Sequence, residues 1–525
     1  MRQVTNCVVS MGFVHARANR TTAAVADSRE TRVRKHLVPY ALATLVAAAS
    51  PALATTITVN STADDLGAGP NGNCTLREAL RAANLNVAVD ACPAGTVGVV
   101  ATDTVVVPAG TYLLAAAGRY EDAGLTGDLD VFDKVQIDGA GATTTIIDAG
   151  DIDRVMHLRG VTIGVSKVTL TGGSAILHEP EAGESQTPMG GGVMVEQNAD
   201  VTFTDAIIRD NTALDGGGIQ NLGGTVRLVR TTVSGNFAAL DLTFLNFESG
   251  FSGGIGNDGP TAVVTVADST ITQNTAQLGG AGVSNAFFGL GGSMSISGST
   301  ISANTALGAA ASGFPWPPTG GGAGILNDGP LTIVNSTISG NIANSFTVPS
   351  SGGGIITGGD TTGAVLTMTN STVAGNQAAT GSALLVNTGS ISLANTLLQG
   401  SCRFLGSGAM TSQGGNLESP ANGCGFSAAT DVANVADPKL GPLAANGGPT
   451  HTHALLTGSP AVDKGLGPGC PATDQRGTAR PQPAGGKCDV GAYEAVPSTG
   501  CGAGSPAIVL LPVAMALGGR RKRRC

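Results

Sequence analysis

From Thr231 to Cys402 the chain contains no lysine, arginine or histidine. Removing a proton beside a uronate needs a basic side chain and cationic groups to neutralise the substrate carboxylate, so this stretch lacks every residue type that could do lyase chemistry. Aromatic residues make up only 3% of the 525 positions and charged residues 12%. That balance fits an elongated solenoid with a thin aliphatic core. No Cys-x-x-Cys spacing occurs, which argues against a structural zinc or a redox dithiol. The apolar run Ala507 to Leu517 is interrupted by Pro512 and is short for a membrane span.

Glycine, by contrast, is abundant at 79 residues and recurs in a repeated phrase. A glycine cluster is followed by an apolar residue, an asparagine and an alternating stretch that closes on Asn, as in GGGIQN from Gly216 with TTVSGN ending at Asn236. The closing asparagines are 211, 236, 274, 304, 341 and 376. Self-similarity at this period predicts a solenoid, and the Val, Ile and Thr content with period-2 alternation predicts three short strands per coil. Stacking coils about 4.8 Å apart would lay equivalent residues over one another, with asparagine amides forming a hydrogen-bonded ladder and Ile and Val filling the interior. A disordered glycine-rich tract would not keep an apolar residue in register after each glycine cluster.

The formal charge of -9 conceals basic ends. Residues 1–54 carry seven Lys/Arg against two acids, and residues 501–525 carry five against none. The body between them is acidic, which makes nucleic acid an unlikely partner. Arg32 to His36, Leu37 to Ala49 and Ala52-Leu53-Ala54 have the order of a signal peptide with an A-x-A cleavage site, predicting export. Six of the nine cysteines lie in the body as sequence-local couples that flank the repeats, Cys74 with Cys92, Cys402 with Cys424 and Cys470 with Cys488. In an exported chain these read as disulfide staples for the solenoid ends. Thr75-Leu76-Arg77-Glu78 fits a capping box opening a short helix to near Asn84, whose Leu76, Ala79, Leu80 and Ala83 face would cover the first coil.

Ile57-Thr58-Val59-Asn60, Asp64-Asp65 and Cys74-Thr75-Leu76-Arg77-Glu78-Ala79 resemble the CSLREA domain of bacterial surface proteins, with threonine at the usual serine position. Gly441-Pro442-Leu443, Asn446 to Thr450, Gly458 to Asp463, Asp474-Gln475-Arg476-Gly477 and Cys488 to Glu494 resemble the choice-of-anchor Q region. The tail, with Cys501, a short apolar run and Arg520 to Arg524, resembles a MYXO-CTERM sorting signal. These resemblances imply a right-handed parallel β-helix with repeats similar to those of polymorphic outer-membrane proteins. They also imply surface or outer-membrane attachment through the tail, with Cys501 as the anchor, and they bring no reaction with them. The expected organisation is 1–54 extension and signal peptide, 55–115 N-terminal cap, 116–400 β-helix repeats, 401–495 C-terminal module and 496–525 sorting tail.

Several residues could carry chemistry. The N-terminal coils hold Arg154, His157, Arg159, Lys167, Arg209, Arg227 and Arg230, the basic groups a lyase would draw on, although alternating positions on a half-buried strand face more often carry solvated charges. Asp128-x-Asp130-x-x-Asp133 could gather oxygens for calcium, against a reading as solvated turn acids. Asp258 and Asp328 fall in Asn-Asp-Gly turns, where turn chemistry accounts for aspartate. His451 and His453 lack an evident third metal ligand. Extra residues enter the repeats at one recurring point, in 237–252, 307–319 and 344–351, and carry Phe244, Phe247, Phe314, Trp316 and Phe346. Such insertions project from one side, where aromatic rings could contact glycan or protein or could fold back over the loops themselves. The expected function is an adhesin-like or structural surface scaffold without a cofactor, and the alternative is a polysaccharide lyase or glycoside hydrolase on the pectin-lyase-like fold.

Overall fold

The structure, a computed structural model, describes residues 53–497 apart from 66–69, 99–100, 120, 177–187, 242–248, 287–290, 309–320, 345–349 and 359–362. The signal-peptide region up to residue 52, the tail with Cys501, and Phe244, Phe247, Phe314, Trp316 and Phe346 all lie outside the described residues.

Short strands stack into parallel sheets, and one coil shows the order. Ile219–Leu222 belongs to sheet I, Thr225–Val229 to sheet II, Thr232–Ser234 to sheet III and Phe237–Ala238 to a narrow sheet IV. Sheets I, II and III contain 10, 12 and 11 strands, and sheet IV contains 6. The three strands per coil expected from the repeat are present, and the fourth set is only two residues wide. This is a parallel β-helix. Its first coil already uses Thr56–Thr58 and Asp103–Val107 in sheet II and Gly110–Leu113 in sheet III, and sheet III ends at Leu417–Ser419.

Register explains the core. Period-2 alternation sends alternate side chains inward, and parallel pairing puts like residues on top of one another. The column Ile147, Leu170, Ile208, Val233, Ile271, Ile301, Ile338 and Val373 in sheet III is fully or almost fully buried. A buried aliphatic side chain of this size contributes about 1.5–3 kcal/mol, so the stack needs few aromatic rings.

All six closing asparagines form one ladder inside the helix. The Nδ2 of each of the first five donates to the Oδ1 of the asparagine one coil on, at 2.9–3.0 Å. Each also donates to a main-chain carbonyl, for example Asn274 Nδ2 to Val233 O at 3.0 Å. The residue before each ladder asparagine has φ between 55° and 67°, which aims the amide inward; Gly235, Gly340 and Gly375 adopt this conformation freely, while Gln273 and Ala303 adopt it at a cost. The asparagine after the glycine cluster forms a second ladder, Asn221, Asn257, Asn285 and Asn327, at 2.8 Å per rung. The glycine clusters themselves are explained by close stacking. A Cβ at Gly218, Gly254, Gly282 or Gly324 would come within 2.4–2.5 Å of the carbonyl oxygen of the next coil.

Both ends are closed. Helix α1, Leu76–Leu85, lies against the first strands with Leu76, Ala79, Leu80 and Ala83 buried, and Thr75 and Glu78 complete the capping box. Arg77, 1% exposed, holds both oxygens of Asp64 and the carbonyls of Gly127 and Asp128. The three expected disulfides, Cys74–Cys92, Cys402–Cys424 and Cys470–Cys488, are formed. The C-terminal segment folds back onto sheet III. Gln475 Nε2 donates to Ser299 O and Thr300 Oγ1, and its Oε1 accepts from Thr337 Oγ1. Ala492 N donates to Thr372 Oγ1. Arg480 and Glu494 form an ion pair with no exposed side-chain surface.

Candidate functional site

In sheet I the residues flanking the strand centre point into the core and the second residue points away from it, so the sheet carries an outward column in which Asp130, His157, Met194 and Gln220 are successive neighbours. All four are buried. Asp122 and Arg159 join the amino-terminal part of this column: Arg159 Nη1 lies 3.0 Å from Asp122 Oδ2 and Nη2 bonds the Asp122 carbonyl. His157 Nδ1 is 3.3 Å from Asp130 Oδ1 and 3.5 Å from Asp122 Oδ1, and its Nε2 is 3.0 Å from Glu196 Oε1. These are ion-pair distances, yet neither ring nitrogen nor Asp130 Oδ1 makes an aligned hydrogen bond. Beside this group, Arg154 Nε pairs with Asp128 Oδ2 at 2.7 Å, with both side chains buried.

The electrostatics follow from burial and neighbours. Burial works against a charged ring at His157, but Asp122, Asp130 and Glu196 together raise the imidazole to about 10. Glu196 is held below its ordinary range, chiefly by the His157 ring nitrogen facing it. Burial raises Asp128 despite Arg154. Burial, followed by the Asp128 charge, pushes Asp153 up to about 6. An imidazolium fixed by three carboxylates is an electrostatic clamp and a poor general base near neutral pH.

Three sequence expectations change here. Asp128 and Asp130 are not solvated turn acids; they are 1% exposed because the neighbouring chain segment and α1 cover this face, and Asn84 and Arg77 bond their carbonyls. Asp128, Asp130 and Asp133 also do not converge on one point. Asp128 goes to Arg154, Asp130 faces His157, and Asp133 accepts from Asn86 Nδ2 and Lys134 N. Asp258 ends a strand of sheet I, is 5% exposed and accepts from Gln220 Nε2 at 2.8 Å, so turn chemistry alone does not account for it.

The other four basic residues singled out in these coils are each paired. Lys167 meets Asp138, Arg209 meets Asp210, Arg227 meets Asp200 and Arg230 meets Asp205. His453 sits between Ser339 Oγ and the Gly441 carbonyl at 2.8 and 2.7 Å, with burial lowering its affinity for a proton, while His451 is exposed. Cys402, Glu418 and Cys424 cluster, but the sulfurs are joined to each other and Glu418 accepts from Gly423 N and Cys424 N. Of the insert aromatics, Phe237 and Phe251 are described, and Phe237 lies in sheet IV. Phe251 is the one beside sheet I. It packs on the outer face of sheet I with Leu278, Leu326, Ile356 and Leu385. A cleft of about 470 Å³ runs along the turns between sheets I and II, with Asp328 the single charged group among the described residues of its lining.

No protein-family model matches the chain, and no curated protein matches its sequence. Among solved structures it is similar to the pectate lyase Pel9A, at 14% identity and a TM-score of 0.44 over 85% of this chain and 97% of that one. It is also similar to the A-module of the Azotobacter vinelandii mannuronan C-5 epimerase AlgE4, at 12% identity and 0.27 over 59% and 89%. A third similarity is to the Dettilon tailspike protein gp208, at 11% and 0.23 over 59% and 62%. Values this low carry no argument about function, and the parallel β-helix rests on the strand register described above.

The raised Asp153 has a measurable consequence. The unfolded chain sheds this proton near 3.8 and the folded chain near 6. The contribution to stability is therefore complete below about pH 3.8 and is lost as pH rises through 6, on the order of 2 kcal/mol. Asp489, also pushed up to about 6 by burial, acts in the same sense. The thermal midpoint is expected to fall between about pH 4 and about pH 6.5, and Asp153→Asn is expected to flatten that slope; a slope unchanged in the variant would show that Asp153 does not contribute.

Proposed function

We propose that the chain is an exported, cell-surface-attached scaffold of adhesin-like type. Its β-helix would bind glycan or protein along the edge from which the inserts leave, and the tail with Cys501 would supply the membrane association. The observation that carries this reading is the state of the basic residues. Arg154, Arg159, Lys167, Arg209, Arg227 and Arg230 are all ion-paired, and His157 is enclosed by three carboxylates. From Thr231 to Cys402 the coils have no basic residue to offer. Those seven side chains offer a polyuronate neither a free cation for its carboxylate nor a base for its proton. Phe244, Phe247, Phe314, Trp316 and Phe346 supply ring area for a contact surface on an otherwise aliphatic, acidic rod.

The exposed pairs are worth under about 1 kcal/mol each and could be displaced by substrate, so the test addresses them directly. Incubating the full chain with acidic and neutral polysaccharides, with and without calcium, is expected to yield no new reducing ends and no unsaturated products. Turnover abolished by Arg209→Ala or Arg227→Ala would overturn the scaffold reading in favour of a lyase or hydrolase. Replacing Phe244, Phe314 and Trp316 with alanine is expected to weaken glycan or cell binding at least roughly tenfold with little change in thermal midpoint. A large loss of stability would instead show that these rings pack against their own loops.

A further inference from the structure

The outward group on sheet I has the geometry of a ligand set. Asp130 and His157 are register partners on successive coils, and Asp122 reaches them from the segment before the first of these strands. One ligand atom from each of the three lies within 4.8 Å of the others. Two of those separations, His157 Nδ1 to Asp130 Oδ1 and to Asp122 Oδ1, are 3.3 and 3.5 Å. An ion bound tetrahedrally through bonds of about 2.0–2.1 Å sets its ligand atoms roughly 3.3–3.4 Å apart. The Asp130 side chain is 0% exposed and that of His157 is 3% exposed, and Asp130 Oδ1 and both ring nitrogens lack an aligned hydrogen bond. Burying such groups without alignment is costly unless something between them completes their coordination.

Two further features point the same way. Glu196 Oε1 stands 3.0 Å from Nε2, on the side of the ring away from Asp122 and Asp130. A carboxylate behind a ligating histidine fixes the ring's tautomer and strengthens its donor nitrogen. The carboxylates of Asp122, Asp130 and Glu196 also outnumber the cations that meet them among the described residues, Arg159 and the His157 ring, while Arg154 is spent on Asp128. A dication that displaces the ring proton would balance that excess.

We propose that His157 Nδ1, Asp122 and Asp130 form a site for one divalent first-row transition ion such as zinc, with Glu196 orienting the ring from behind. One imidazole with two carboxylates suits such an ion, whereas calcium takes six to eight oxygens. The ion would tie together two coils and the segment that covers them, a structural role independent of any partner bound at the inserts.

The test uses the full chain with Cys7→Ser, Cys501→Ser and Cys525→Ser, so that thiolates outside the described residues do not compete. Equilibrium dialysis against Zn²⁺ is expected to give one tightly bound equivalent, and Co²⁺ is expected to give a visible absorption band of a low-coordinate site. His157→Gln and Asp130→Asn are each expected to reduce affinity at least about tenfold and to abolish the band. Equal uptake in parent and variants, or no uptake at millimolar Zn²⁺, overturns the proposal and leaves an ion-paired cluster. If circular dichroism shows that the buried variants fail to fold, Glu196→Gln decides, because that carboxylate is 47% exposed and its loss should spare the fold. Affinity weakened about tenfold supports the site, and unchanged affinity overturns it.

Discussion

Asn274→Ala is expected to destabilise the chain by about 3–5 kcal/mol, far more than a typical substitution. Asn274 is fully buried, and its Oδ1 accepts from both Asn236 N and Asn236 Nδ2, at 3.1 and 2.9 Å. Its own Nδ2 donates to Asn304 Oδ1 and Val233 O. Alanine leaves two donors of Asn236 facing a site that water does not reach, and each orphaned donor costs about 1–3 kcal/mol. Coils contact only their neighbours, so the damage should uncouple the rod locally. Hydrogen exchange should accelerate in the coils on either side of residue 274 while the distant coils stay protected. Asn211→Ala, at the start of the ladder, orphans only Gly173 N and should cost about half as much. A loss below about 1 kcal/mol for Asn274→Ala would show that the ladder does not hold the coils together.

Arg77→Met is expected to be comparably severe, at about 3–5 kcal/mol, for an electrostatic reason. The substitution leaves the Asp64 carboxylate, 4% exposed, with only the main-chain donors of Ala115 and Ala116. The carbonyls of Gly127 and Asp128 lose their partner at the same time. In the intact chain burial acts to raise Asp64, but Arg77 and those two amides hold it below its ordinary value. Its share of stability is therefore present above the unfolded value near 3.8 and lost as pH falls through the lower folded one. Arg77→Lys should rescue little, because one ammonium cannot span the two carboxylate oxygens and two carbonyls that the guanidinium reaches. Denaturant unfolding checks both variants. The double variant Arg77→Met with Asp64→Leu should recover part of the loss, and a further loss in its place would show that the cap depends on shape rather than on charge.

The residues that were legible in advance are those whose partners repeat. The closing asparagines, the aliphatic columns and the glycine clusters announce themselves because each coil states the same requirement again. Thr75 with Glu78 and the three cysteine couples were legible because their partners lie nearby in sequence. The cluster around His157 was not, although His157, Arg159, Asp122 and Asp130 are all conspicuous. The separations that bring them together depend on irregular coil lengths and on a burial that composition cannot reveal. Aligning the strands LDV, MHL and VMV on their inward residues would have placed Asp130 under His157. The contacts of Gln475 and Ala492 with sheet III were equally hidden, since Thr300, Thr337 and Thr372 look like any other strand threonines. The ion pairs of Arg227 and Arg230 likewise follow from coil stacking, which sets Asp200 and Asp205 beside them.

The buried columns also give the rod a direction. In both asparagine ladders the earlier residue donates and the later one accepts, and the hydroxyl column repeats the pattern from Thr231 N to Ser269 Oγ, Ser269 N to Ser299 Oγ and Ser299 N to Ser336 Oγ. A partly stacked rod therefore presents matched donors on its growing face, awaiting the acceptors of the coil still to come. A chain that crosses a membrane amino end first would deliver those acceptors in the order the template needs them. The final donors in the hydroxyl column meet Asn416 Oδ1 and then the carboxylate of Asp431, a terminator of the sign such a face requires. The side-chain columns of this molecule thus have a polarity of their own, superimposed on a main-chain ladder that bonds each coil to both neighbours.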